Sequence, residues 1–200
     1  MTILQSREIP LHRGRPRSED LDGAIFEAAL EVFSEVGFHG LTFEAVAQRA
    51  GCKRPAIYRR FANRRELMVQ LMSRLIRNVD PVPPSTESPR VQLIKYLSAF
   101  VSLLTGRGGG VTIALALARQ SDPELAAACD EMFKSETAVY EEALQEAVGG
   151  GAPANLVRLL VDATLGAATF RVAMRKEIMS EAEIEQLVDV MIQAARSAAA

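Results

Sequence analysis

Between Glu44 and Glu66 the chain carries seven basic residues and no acidic one: Arg49, Lys53, Arg54, Arg59, Arg60, Arg64 and Arg65. Arginines so placed can do two kinds of chemistry. A guanidinium can bond O6 and N7 of one guanine together, or neutralise a phosphate without reading sequence. Arg54, Arg59 and Arg60 are the candidates for base edges, and each could instead serve a phosphate. Ala56 is small enough to lie against a thymine methyl. Lys53, Thr42 and Arg64 suit phosphates, the last two because free N–H groups at a helix start already favour an anion. Tyr58 follows Ile57 and precedes Phe61. Those two, four apart, supply an inward face, which turns Tyr58 and Arg59 outward and leaves the tyrosine hydroxyl free for a phosphate oxygen.

These side chains need a scaffold that presents them together. Thr42 reads as the N-cap of a short helix over 44–50, and Gly51 can take the left-handed conformation that ends it. A second short helix is expected over 54–61, with Pro55 in its first turn, where a missing N–H costs nothing. Asn63 and Glu66 have the spacing of a capping box for a helix running to about Val79. Short helix, glycine turn, short basic helix is a helix-turn-helix, whose second helix enters the DNA major groove. Upstream, Ser18 caps a helix with an apolar stripe of Leu21, Ile25, Ala28, Val32 and Val36, ended by Gly37.

Three segments carry a family likeness: Ala47–Gln48–Arg49–Ala50–Gly51, Ile57–Tyr58–Arg59–Arg60–Phe61 and Arg64–Arg65–Glu66–Leu67. Together, over roughly residues 18–67, the chain resembles the DNA-binding domain of the tetracycline-repressor (TetR) family. Two positions depart from that pattern. Lys53 stands where Ser or Thr more often caps the recognition helix, and Pro55 where a small residue is common. The resemblance implies that Tyr58 contacts the DNA backbone and that the middle helices of a C-terminal domain enclose a small molecule.

The first 17 residues lack periodicity and are expected to form a basic arm. Within it Arg13–Gly14–Arg15–Pro16–Arg17 resembles an AT-hook. Arg15 and Arg17 suit a narrow minor groove, or general electrostatic attraction. Charge is unevenly divided over the 200 residues. Residues 1–79 hold 13 Lys/Arg and 9 Asp/Glu, a balance of +4, whereas residues 80–200 hold 10 and 16, a balance of −6. Only the first third is built to meet nucleic acid.

The proline-rich stretch 80–89 is the clear linker. The domains expected are therefore 1–17 (arm), 18–67 (helix-turn-helix, continued by a connecting helix over 64–79) and 80–200 (ligand binding and dimerisation). Every segment beyond the linker reads as helix. Expected helices run 89–104, 111–119, 122–148, 153–176 and 181–197, with Gly106–Gly110 as a helix-breaking loop and a second capping box at Ser180 and Glu183. The fold class is all-α, about nine helices in two parts.

Segment 156–174 is apolar on most sides and so needs cover on most sides. Paired with the final helix, it would form a four-helix bundle with a second copy through Leu165, Ala168, Ile184, Leu187, Val188 and Met191. Apolar candidates for the implied ligand cavity are Phe100, Leu104, Leu117, Phe133, Tyr140, Phe170 and Met174. Arg119, Arg171 and Arg175 could serve an anionic ligand, or simply lie at the surface.

No catalytic constellation, metal cluster or cofactor loop is visible. His12 and His39 lack ligand neighbours, and Gly106–Gly110 lacks the Lys-Ser/Thr of a phosphate loop. Two cysteines, Cys52 and Cys129, make no disulfide framework and fit a reducing cytoplasm, with Cys52 a candidate redox sensor beside Lys53 and Arg54. No export signal or membrane span is read. The expectation is a dimeric regulator, not an enzyme, most simply a ligand-responsive repressor on a palindromic operator of double-stranded DNA. A constitutive DNA-binding regulator without a ligand and an all-α enzyme are the alternatives.

Overall fold

The computed structural model describes residues 18–78 and 86–199. Among them nine α-helices follow one another with no strand. Helix α1 (Ser18–Gly40) buries Ile25, Ala28, Ala29, Val32 and Phe33. Gly37 interrupts it with φ of 69°, a left-handed turn that L side chains rarely adopt. The expected stripe stops short of this turn. Val36 is exposed, and Phe38 and Leu41, arriving after the bend, fill the core in its place.

Helix α2 (Phe43–Arg49) begins where expected, with Thr42 Oγ1 accepting from the Ala45 N–H at 3.1 Å. Arg49 fastens it to α1 through Glu31 at 3.0 Å and Glu35 at 2.8 Å. Gly51 turns the chain with φ of 63°. Helix α3 (Arg54–Tyr58) is shorter than its sequence pattern suggested, and Lys53 at its N-cap makes no side-chain capping bond. Helix α4 (Arg64–Asn78) is capped by Asn63 Oδ1, which accepts from the Glu66 N–H at 3.0 Å. The Glu66 carboxylate reaches back one residue further than a standard box, to the Ala62 N–H at 2.6 Å.

Helix α5 (Pro89–Thr105) meets α6 (Gly108–Ala118) at an 85° bend. Gly106 and Arg107 break the chain after α5 as expected, but Gly108–Gly110, expected in the same loop, make the first turn of α6. An ideal Cβ on Gly109 would stand 1.9 Å from the Leu104 carbonyl oxygen, so the last turn of α5 can lie against α6 only if no side chain intervenes. Helix α7 (Pro123–Ala147) opens on Asp122, as the proline and the acid implied. Helix α8 (Ala154–Thr169) runs into one π-helical turn, Phe170–Met174, closed by the Arg175 N–H on the Phe170 carbonyl at 3.0 Å. Helix α9 (Glu181–Ala199) starts with the expected box, Ser180 and Glu183 each bonding the other's backbone N–H.

Two apolar cores result. One gathers α1 to α4 and also Val111 and Leu115 of α6 and Leu125, Cys129 and Met132 of α7. The three helices of the helix-turn-helix thus do not close a core by themselves. The second core joins α5, the end of α7, α8 and α9, around Leu93, Leu97, Leu144, Val157, Val161 and Val188.

Gly109→Ala should lose about 1–3 kcal/mol of stability, because backbone must move to admit the methyl. Gly110, one residue on, has open space at its Cβ. Gly110→Ala should be neutral or gain up to about 1 kcal/mol from helix propensity. Urea midpoints of the two variants beside the wild type check both.

Candidate nucleic-acid interface

Helix α3 is anchored by two buried side chains, Ile57 within it and Phe61 just after it. Residues four positions apart share a side of a helix, which groups 56 with 60 and 57 with 61 on one side and 54 with 58 and 55 with 59 on the other. Ala56, Ile57, Arg60 and Phe61 turn inward or toward α1, whereas Arg54, Pro55, Tyr58 and Arg59 face outward. Tyr58 is 51% exposed. Its ring stands edge-on to Phe43 of α2, with centroids 4.9 Å apart. Arg54 Nη2 donates to the Tyr58 hydroxyl at 2.8 Å, and its guanidinium carbon lies 5.3 Å from the ring centroid. Glu44 approaches the other terminal nitrogen of Arg54 at 3.9 Å.

Lys53 and Arg59 are exposed and take part in no ion pair among the described residues. Thr42 is exposed at the start of α2. Arg64 lies 4.6 Å over the Phe38 ring and donates to the His39 carbonyl at 3.3 Å, which holds its charge at the start of α4. Thr42 and Arg64 thus stand at the starts of α2 and α4, Lys53 and Arg54 at the start of α3, and Tyr58 and Arg59 at its end, all exposed except the half-buried Arg64.

Two of the expected base-reading residues do not belong to that set. Ala56 is buried, so its methyl is packed inside, and the exposed ring of Pro55 occupies the outer position beside Arg54. Arg60 is directed to Asp22 of α1 and donates to the Ala56 carbonyl at 3.0 Å, so it braces α3 against the scaffold. The pairs 54/55 and 58/59, four apart, carry the signal that separates outer from inner residues. Glu44, facing Arg54, also escaped the sequence reading. Arg15 and Arg17 lie outside the described residues.

Arg65 joins α4 to α7. Its Nε donates to both Asp122 oxygens, at 2.9 and 3.0 Å, and its Nη1 lies 2.7 Å from Glu124. Asp122 also caps α7, accepting from the Leu125 N–H at 3.0 Å. That backbone bond, reinforced by Arg65, holds the Asp122 carboxyl below the usual carboxylate range. Fifty-seven residues separate the partners, and nothing local in sequence pairs them.

The apolar residues proposed for a ligand cavity do not converge. Leu104 and Tyr140 lie in the second core, with Phe100 packed against it and the Tyr140 hydroxyl donating to the Tyr96 carbonyl at 2.8 Å. Phe133 packs on the first core beneath Arg119. Leu117, Phe170 and Met174 are exposed. Arg119 pairs with Asp130, Arg171 with Glu177 and Glu183, and Arg175 with Glu177.

The expected dimer stripe needs a similar correction. Ala168, Ile184, Val188 and Met191 are buried inside the subunit, and Leu165 and Leu187 pack partly against the same core. The β-branched residues of α8, Val157, Val161 and Thr164, are buried within the subunit. The outer side of α8 is Leu159, Ala163, Gly166, Ala167, Phe170 and Met174, at three- and four-residue spacing and all exposed, with Val190 exposed on α9.

A helix-turn-helix with an exposed basic second helix, backed by a larger helical body, defines a class of DNA-recognition fold. Residues 25–71 match the family model for bacterial regulatory proteins of the tetR family. Residues 83–191 match that for the tetracyclin repressor-like C-terminal domain. The chain belongs to the TetR family. It is 33% identical over 115 residues to the HTH-type transcriptional regulator YdeS of Bacillus subtilis, covering 57% of each chain. It is 30% identical over 125 residues to the class C tetracycline repressor of Escherichia coli, covering 58% of this chain and 57% of that protein. The chain thus spans less than two thirds of the length of these relatives. In fold it is similar to FadR of Bacillus subtilis in complex with stearoyl-CoA, with a TM-score of 0.67 and 22% identity over 88% of this chain and 98% of that one. No single helix among the described residues is long and apolar enough to cross a membrane, and no group of metal-binding side chains occurs among them.

Arg59→Ala should relax base preference at one position of a bound sequence, at about 1–3 kcal/mol if the lost contact is bidentate. Arg60→Ala should lower the melting temperature and leave the preferred sequence unchanged, since its partners lie within the protein. Binding-site selection with both variants, alongside thermal melts, tests the pair.

Proposed function

We propose that this chain is a one-component transcriptional regulator, most simply a repressor, that binds a palindromic operator as a homodimer and releases it when a small molecule occupies the C-terminal helices. The observation that carries this reading is the outward face of α3, where Arg54, Pro55, Tyr58 and Arg59 project beside Lys53 and Thr42. A five-residue helix held from below by Ile57 and Phe61 is a rigid mount for side chains that must reach base edges. Tyr58, Thr42, Lys53 and Arg64 set register on phosphates, and Arg54 and Arg59 read bases.

The dimer forms through the outer side of α8 and its π turn. Leu159 is 62% exposed, and Phe170 and Met174 are each 59% exposed, on a helix whose other side is already covered. To match a palindrome, association of two such faces would have to set the two copies of α3 about one DNA turn, roughly 34 Å, apart. The effector is apolar. What supports this is chemical: the second core, which the effector would have to open, is aliphatic and aromatic around the Tyr96–Tyr140 pair, and a fatty acid metabolism regulator of Bacillus subtilis is 26% identical to this chain over 131 residues. Movement of α7 on effector binding would reach α4 through Arg65 and Asp122. DNA and effector then oppose each other by linkage, each weakening the other's binding by the same factor.

Selection from a random DNA pool at fixed salt tests the regulator reading. A palindrome with half-sites about one turn apart is expected for the wild type, and recovery of no sequence overturns the reading. Leu159→Glu combined with Phe170→Glu should give monomers in sedimentation that keep their helical content. A dimer that persists would place the interface elsewhere.

A further inference from the structure

Glu44 is the one acid in the 23-residue run from Glu44 to Glu66 that precedes the basic residues, and in space it faces Arg54. It occupies the exposed first turn of α2, next to Phe43. Phe43 is buried and fixes the Tyr58 ring edge-on, and Tyr58 in turn fixes Arg54 through its hydroxyl. Arg54 is therefore held with one terminal nitrogen on Tyr58 and the other facing the Glu44 carboxylate at 3.9 Å. These nitrogens are the ones a bidentate guanine contact would use. An acid near the start of the first helix of a helix-turn-helix also lies where that helix crosses the phosphate backbone, so it opposes DNA of any sequence.

We infer that Glu44 is a specificity-determining residue of this interface, acting through Arg54 as a competitor for its guanidinium. The inference rests on the DNA-binding reading above. Guanine presents two acceptors and displaces the carboxylate from Arg54. Adenine and cytosine each present a donor on the same edge, and against them Arg54 stays with Glu44. A stray phosphate contact must draw Arg54 away from Glu44 while lying close to the carboxylate's own charge. Glu44 thus weakens non-specific binding more than operator binding. It is a positioning residue for Arg54 and makes no base contact itself. An exposed pair at this separation is weak enough for the correct base to break.

The test compares the full-length wild type, Glu44→Gln, Arg54→Ala and the double variant. The probes are the duplex enriched by the wild type and a random-sequence duplex of equal length, across a salt series. Glu44→Gln should bind the random duplex about two- to fivefold tighter per subunit, with a much smaller change on the enriched duplex. The ratio of the two affinities then falls. In the Arg54→Ala background the same substitution should leave the ratio unchanged. An equal gain on both duplexes would reduce Glu44 to a general charge and overturn the inference. So would unchanged binding to both, or a selective loss on the enriched duplex, which would make Glu44 a direct base contact. A wild type that binds neither duplex would instead remove the DNA-binding reading itself.

Discussion

The structure depends on one shared apolar core. Helices α1 to α4 bury Ile25, Phe33, Leu67 and Met68, but they complete that burial only with Val111 and Leu115 of α6 and Leu125 and Cys129 of α7. Removing apolar area from water is the main favourable term in folding, so a head that cannot cover itself is held by whatever covers it. Arg65 reinforces the joint at its polar edge. Asp122 both caps α7 and receives this arginine, so the start of α7 is positioned by its own first turn and by α4 together. A displacement of α7 cannot leave α4 untouched, which is the physical content of the relay proposed above.

Much of the architecture was legible locally. Thr42, Asn63, Asp122 and Ser180 each mark a helix start through a side-chain oxygen that accepts a backbone N–H a few residues on. Gly37 and Gly51 mark stops through positive φ. Such signals depend on neighbours in sequence. Gly106 ends α5 as a local signal should, but Gly108–Gly110 open α6 for a reason that is not local. Gly109 lets α6 lie against α5, because a Cβ there would enter the space of the Leu104 backbone. As a run of glycine in sequence, that requirement looks the same as a loop.

The candidate site divides along the same line. The outward position of Tyr58 and Arg59 followed from Ile57 and Phe61, and the structure agrees. For Ala56 and Arg60 residue type and register disagree: arginine suits bases and alanine suits methyl groups, yet both sit on the inward pairs. On α8 and α9 the difficulty was different. A helix apolar all round has two faces, and periodicity does not say which one the subunit keeps for itself. On α8, Val157, Val161 and Ala168 belong to the subunit's own core, and Leu159, Ala163, Gly166 and Ala167 lie outside, followed by Phe170 and Met174.

The joint at Arg65 also bears on how recognition heads can be exchanged. Cutting the chain at the proline-rich linker looks natural, since sequence matching divides there too. A head grafted at that point onto another body would arrive with Leu67 and Met68 uncovered and would leave Asp122 without its guanidinium. The transferable module is discontinuous: residues 18–78 together with the patch of α6 and α7 that lies beneath them. Chimaeras in this fold therefore inherit compatibility from a surface far downstream of the splice, and a body accepts a foreign head only if it carries that patch.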